Sequence, residues 1–382
     1  MSANRLAIVN CNIVLEDRVI YDGTLLIEDG IIAKYGRANE IEVSDAYSVI
    51  DAEGGYVGPG FVDIHVHGAN GKSINFDTEE VADFFLRHGT TTILASPWYK
   101  LDFDTIMSAI KNVKSVMHKT KNVKGIYMEG PYTNPKYGSH AVENPWRAGI
   151  LEEQYKALVD EAGELAKVWT VAPELDRIYE FVSYAKRVNP NTVIAVGHSE
   201  ATPEEIRALG KYRPTLETHS MNATGRVNSH AGILGTGPDE YAFSSPDVYC
   251  ELISDSYGVH VHTELQQMLY RLKGAERIVL ITDCSAYNNP APQEFAHVKD
   301  VNFSPYGEVA GSRLTMDMAC RNIMSHTRAS IADAFLMAST NPAKVINMYD
   351  SIGSVDIGKR ADLVVVDDKF NIKRVLVGAE TV

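Results

Sequence analysis

GPGFVDIHVHG, residues 58–68, ends a short apolar run with two histidines, His65 and His67, two positions apart. Side chains of a β-strand alternate faces, so Asp63, His65 and His67 point one way while Ile64 and Val66 point the other. One strand end would then present two imidazole nitrogens side by side, which suits a metal ion. Taken alone, such a pair reads as readily as two ordinary surface or core histidines. What the rest of the chain delivers to the same place decides between the two.

Downstream of this stretch, apolar strand-like runs alternate with helix-like segments such as TEEVADFFLRHG, LEEQYKALVDEAGELAK, TPEEIRALGKY and TELQQMLYRLKG. That alternation predicts parallel βα units. Eight strand candidates can be counted: FVDIHVH, TTILAS, KGIYMEG, VWTVAP, TVIAVGHS, PTLETHS, VYCELISD and RIVLITDC. Eight closes a (β/α)8 TIM barrel. His65 with His67, Glu129, His198, His219 and Asp283 each stand at the C-terminal end of a separate run. In such a barrel those ends converge on one mouth, where active sites are built. Five strands sending metal-ligand residue types to one mouth favour a shared site over unrelated buried polar groups, each of which would need its own partner.

The chain ends read differently. LAIVNCNIVL, VIYDGTLLIEDG and IIAKYG are β-branched runs cut by Asp-Gly and Gly turns, and ADLVVVDDKFNIKRVLVGAETV at the other end repeats the pattern. Residues 1–57 and 346–382 are therefore expected to share a small β-sandwich domain, with a barrel domain of residues 58–345 inserted between them. The 382 residues are 45% apolar and 23% charged, ordinary for a large globular core. A net charge of -14 argues against nucleic-acid and anionic-membrane partners and for a small-molecule one. No apolar run reaches the roughly 20 residues of a membrane span, and MSANRLAIVN does not read as a signal peptide, so a cytoplasmic protein is expected. Cys11, Cys250, Cys284 and Cys320 have no paired spacing and read as reduced structural thiols.

PGFVDIHVHG, MEGPY followed by GSH, VGHS, THSMNAT, ITDCS, VAGSRLTMD and GSVDIGKRADLVVVD together resemble the amidohydrolase superfamily, and within it the N-acetylglucosamine-6-phosphate deacetylases. The likeness spans nearly the whole chain. It implies a metal-dependent barrel with a β-sandwich flank, acting on the N-acetyl amide of an amino-sugar 6-phosphate. Many superfamily members bridge two metals with a carbamylated lysine from the fourth strand, but VWTVAPE has no lysine at its C-terminal end and Glu129 takes that place. Glu129, His198 and His219 would form the principal three-ligand site, open to water as catalytic zinc requires. His65 and His67, with Glu129, would hold a second ion. One or two divalent ions are thus expected, with zinc first and iron(II), manganese or cobalt as alternatives.

Hydrolysis of an amide needs a polarised carbonyl and an activated water, and Asp283 is the expected proton handler; the structural alternative is a metal ligand or a cap. The resemblance further assigns substrate contacts to His140, Asn222, Ala223 and His260, with His262 as the alternative to His260, and to the backbone of Val309, Ala310 and Gly311. Arg226 would read the phosphate, probing across the interface of a homodimer, or else stand as a solvated loop residue. NATGRVNSHAGILG is shorter than the family's usual loop, and CSAYNNPAPQ replaces its usual segment after Asp283. These departures leave open the galactosamine epimer or another N-acyl compound as substrate. A nucleobase deaminase or cyclic-amide hydrolase would be expected to carry the fourth-strand lysine and to lack MEGPY; a metal-free binding protein would be expected to have lost a ligand or Asp283.

Overall fold

A computed structural model describes residues 5–139, 141–228, 230–378 and 380–382. Eight parallel strands form its centre in chain order: Phe61–Val66, Thr90–Ala95, Val123–Met128, Ala166–Val171, Val193–Val196, Leu216–Glu217, Tyr249–Ile253 and Ile278–Ile281. They are the eight expected from the sequence. Parallel barrel strands are covered on both faces, which is why each reads as a nearly unbroken apolar run. The first and eighth strands close the ring just past their ends, where Val66 and Cys284 bridge in parallel and His67 N donates to Cys284 O at 2.9 Å. Below that seam, buried Asp63 accepts hydrogen bonds from the Thr282 hydroxyl at 2.6 Å and the Thr282 amide at 3.3 Å, tying strand one to strand eight.

Helices cover the outside, and their ends are set locally. Asp102 caps helix Phe103–Val116 by accepting from Thr105 N at 2.8 Å. Thr202 and Glu205 form a reciprocal box at the start of helix Pro203–Ala208. Helices Thr78–Arg87, Glu152–Ala162 and Thr263–Lys273 fall within the segments whose pattern predicts them. None among the described residues is long and apolar enough to cross a membrane.

Strands from both chain ends share a second sheet. Tyr56–Pro59 pairs in parallel with Arg5–Val14 and antiparallel with Leu363–Val366, which in turn pairs with Ile372–Val377. An aromatic cluster joins this sheet to the barrel: the Phe61, Phe335 and Phe370 rings lie 5.1–5.9 Å apart, centroid to centroid. All four cysteines are buried free thiols, Cys11 in the end sheet and Cys284 on the barrel seam.

Candidate active site

At the C-terminal ends of the strands lies a cavity of about 250 Å³. His198 Nε2 and His219 Nε2 stand 3.0 Å apart, at 2.7 and 3.3 Å from Glu129 Oε1. The other oxygen, Glu129 Oε2, faces the first strand, 3.4 Å from His67 Nε2, while His65 Nε2 is 3.8 Å from Glu129 Oε1. One buried carboxylate thus stands between two histidine pairs, giving the clusters Glu129, His198, His219 and His65, His67, Glu129.

Outer hydrogen bonds fix which ring nitrogen is free. His67 Nδ1 donates to Ser96 O at 2.9 Å and His219 Nδ1 to Asn222 O at 3.0 Å, so both Nε2 atoms keep a lone pair for the site. His65 Nδ1 lies 3.3 Å from Glu251 Oε2, an oxygen that also accepts the His219 amide at 3.1 Å. Tyr127 stacks on the His65 ring at 4.3 Å. His198 at 46°, His219 at 28° and Asp283 at 47° all adopt positive φ. Non-glycine residues hold such angles at a cost, tolerated where surrounding bonds dictate the conformation. At the His198 turn Glu174 supplies that bracing, accepting from Ser199 Oγ at 2.7 Å and Glu200 N at 2.9 Å.

The donor set fits a divalent cation. His65 Nε2 and Glu129 Oε2 are buried without a hydrogen-bond partner among the described residues. Burial favours neutral imidazoles, yet Glu129, Asp283 and Glu251 outweigh it and raise His219 to about 9; His67 is raised likewise by Glu129 and Asp283. Burial pushes Glu129 and Asp283 up, but the facing histidines outweigh it and hold both carboxylates down. A divalent cation among these groups would meet the same carboxylate charge that raises His67 and His219. Three ligand atoms at 2.7–3.3 Å from one another also approach the spacing of about 3.3 Å that four tetrahedral ligands have around zinc.

The residue pattern of the amidohydrolase family is matched over residues 56–382. The chain belongs to the amidohydrolase family. The N-acetylglucosamine-6-phosphate deacetylase of Bacillus subtilis (strain 168) is 28% identical over 97% of this chain and 95% of its own length. An N-acetylgalactosamine-6-phosphate deacetylase of Escherichia coli O157:H7 is also 28% identical, over 95% of each. The crystal structure of the N-acetylglucosamine-6-phosphate deacetylase from Pasteurella multocida superposes with a TM-score of 0.84 over 99% of both chains at 23% identity, a likeness of fold. This amidohydrolase is accordingly a metal-dependent hydrolase whose His and Glu clusters are able to bind metal.

Asp283 lines the amidohydrolase cavity at the end of strand eight, its Oδ1 3.2 Å from His67 Nε2. Asn222, Ala223, His260, Val309, Ala310 and Gly311 line the cavity as well. Gly311 has φ +73°, and a Cβ there would stand 2.5 Å from Asp283 O, so only glycine permits this approach. His260 is oriented by buried Asp255, which accepts from its Nδ1 at 3.1 Å and its amide at 2.9 Å, while His260 Nε2 has no partner among the described residues. His262 is exposed and paired with Glu264. His140 lies outside the described residues. Arg226 does not line the cavity; it is exposed and its Nε is 2.7 Å from Glu240 Oε1.

Sequence reasoning missed Glu174, Glu251 and Asp255, which brace or orient the histidines, and placed Asp63 on the histidine face without its bond to Thr282 that closes the ring. It also missed an aromatic wall of Trp98, Tyr99 and Tyr287. Alternation within CELIS was the only available signal for Glu251, and none marked Glu174.

Proposed function

We propose that this chain hydrolyses the N-acetyl amide of an amino-sugar 6-phosphate, with N-acetylglucosamine 6-phosphate as substrate, releasing acetate and the free amino sugar phosphate. The carrying observation is the convergence of Glu129, His198, His219, His65, His67 and Asp283 on one cavity in a chain similar along almost its whole length to deacetylases of that name. The relative that acts on the galactosamine epimer supports that sugar as the second reading.

Glu129, His198 and His219 would hold one ion, zinc in the first instance, and His65, His67 and Glu129 a second. A bound divalent ion supplies polarisation of the amide carbonyl and acidification of water. Asp283 takes a proton from the attacking water and returns it to the nitrogen as the C–N bond breaks. Its contact with His67 keeps the carboxylate ionised and aimed at the cavity. His260 Nε2 and the side chain of Asn222 are available to the sugar hydroxyls, and the backbone at Val309, Ala310 and Gly311 can pack along the ring.

The reading includes a cytoplasmic homodimer in which Arg226 meets the phosphate of the neighbouring subunit's substrate. Support comes from the loop that follows Arg226, where Val227, Ile233 and Leu234 leave apolar side chains exposed, and from the four unpaired cysteines. Metal analysis followed by an amine-release assay over N-acetylhexosamines with and without 6-phosphate tests the whole reading. Release from N-acetylglucosamine 6-phosphate by metal-replete protein is expected. Metal-replete protein that releases amine from none of the panel would overturn it. For the ligands, His198→Ala and His219→Ala should each lower metal content, and full occupancy in both would remove them from the set.

A further inference from the structure

The cavity has two unlike walls. In an eight-stranded ring the second strand stands across from the sixth, so the loop after Ala95 faces the loop after Glu217. On the sixth-strand side, extending to the seventh, lie Asn222, whose Nδ2 donates to His260 O at 3.3 Å, and His260, whose buried Nε2 has no hydrogen-bond partner among the described residues. Across from the sixth strand, after the second, lie Trp98, Tyr99 and Leu101, and Tyr287, from the loop after the eighth strand, packs on Trp98. Trp98 meets Tyr99 edge to face at 5.6 Å and Tyr287 at 5.3 Å. Tyr99 is buried, leans on His198 at 4.7 Å and donates its hydroxyl to Ser139 O at 3.0 Å, which anchors the wall beside the candidate metal cluster. Lys100 Nζ sits 5.0 Å from the Trp98 ring. Among the described residues lining the cavity there is no lysine or arginine.

A secondary amide is planar and strongly prefers the trans form, so its two substituents leave the C–N bond in opposite directions. With the carbonyl at the histidine cluster and the sugar hydroxyls on Asn222 and His260, the acyl substituent is directed at the aromatic wall. A methyl group covers little of a tryptophan and two tyrosines, whereas a longer chain covers more and gains with each methylene removed from water.

We propose that Trp98, Tyr99 and Tyr287 form an acyl pocket and that this enzyme cleaves N-acyl groups longer than acetyl at least as well as acetyl. The inference rests on the deacylase reading given above. The reaction balances as for any amide: water oxygen bonds to the carbonyl carbon, the C–N bond breaks, and a fatty acid anion and an amine leave.

The test is kcat/KM of the metal-replete enzyme on N-acetyl-, N-propionyl- and N-butyryl-glucosamine 6-phosphate. The wild type is expected to turn over the butyryl amide at least as efficiently as the acetyl amide. Trp98→Ala should lose at least 10-fold more on butyryl than on acetyl, and Trp98→Phe should recover most of that ratio. Cleavage of acetyl with a 10-fold or greater penalty for butyryl in the wild type overturns the acyl pocket while leaving the deacylase reading intact. Equal losses on both amides in Trp98→Ala would also overturn it, assigning the wall to the sugar. Failure to cleave any of the three overturns both readings together.

Discussion

In the proposed mechanism the chemistry turns on Asp283, which lines the cavity and contacts His67 at 3.2 Å. Asp283→Asn keeps the size and removes the proton-accepting charge, so steady-state turnover should fall by roughly 100-fold or more while metal content holds. Unchanged turnover would return Asp283 to a structural role. Asp255 acts one step back, through His260. Burial raises its pKa, but the hydrogen bond and charge of the His260 ring and the amides of Val259 and His260 outweigh burial and bring it to about 2, against an ordinary 3.8. A depressed carboxylate stabilises the fold above its unfolded value and loses that contribution as pH falls towards the folded one. Wild type should therefore lose about 2 kcal/mol of stability between roughly pH 5 and pH 1 that Asp255→Asn does not, measured by urea unfolding across that window. The candidate metal ligands were legible because histidines and a glutamate stood at strand ends, where apolar periodicity stops. Asp255 was not, since nothing in ISDSYGVHVH says that its carboxylate folds back onto its own loop.

At the scale of elements, the barrel was legible strand by strand because burial on both faces leaves continuous apolar runs. Even Leu216–Glu217, with only two residues in the ladder, showed through PTLETHS. The seam between first and eighth strands was not legible, because it joins residues some 219 positions apart, by backbone bonds at the strand ends and by the Asp63 side chain below them. Removing that acceptor leaves Thr282 without its partner in a dry interior. Asp63→Ala should cost about 2–4 kcal/mol, read as a lowered denaturant midpoint, and Asp63→Asn less, since an amide oxygen still accepts from Thr282. The cavity wall was equally hidden: SPWYKL reads as core or loop until the second strand is seen to end opposite the sixth.

For the whole molecule, metal and fold should be coupled, since the proposed ligands come from strands one, three, five and six and an ion held among them binds only the folded chain. Chelation should abolish amine release and lower Tm, by an amount equivalent to about 2.7 kcal/mol when the free ion had been at 100 times its Kd, and readdition of zinc or cobalt should restore both. An unchanged Tm after verified metal removal would show that the ion does not bind the folded chain in preference to the unfolded one. The two-sheet plan was legible from the contrast between hairpin-like ends and an alternating middle, whereas the aromatic contact of Phe61, Phe335 and Phe370 was not, since three phenylalanines far apart in sequence announce nothing. The placement of the thiols carries a different consequence. Burial drives every one of them up, Cys11 to about 12 and Cys250, Cys284 and Cys320 likewise upward, so none is a ready nucleophile in the native protein. Alkylating reagents should leave the enzyme untouched until it opens, and the order in which peptides containing Cys11 and Cys284 acquire label under mild denaturant then becomes a clock for which gives way first, the sheet of the chain ends or the closing edge of the ring.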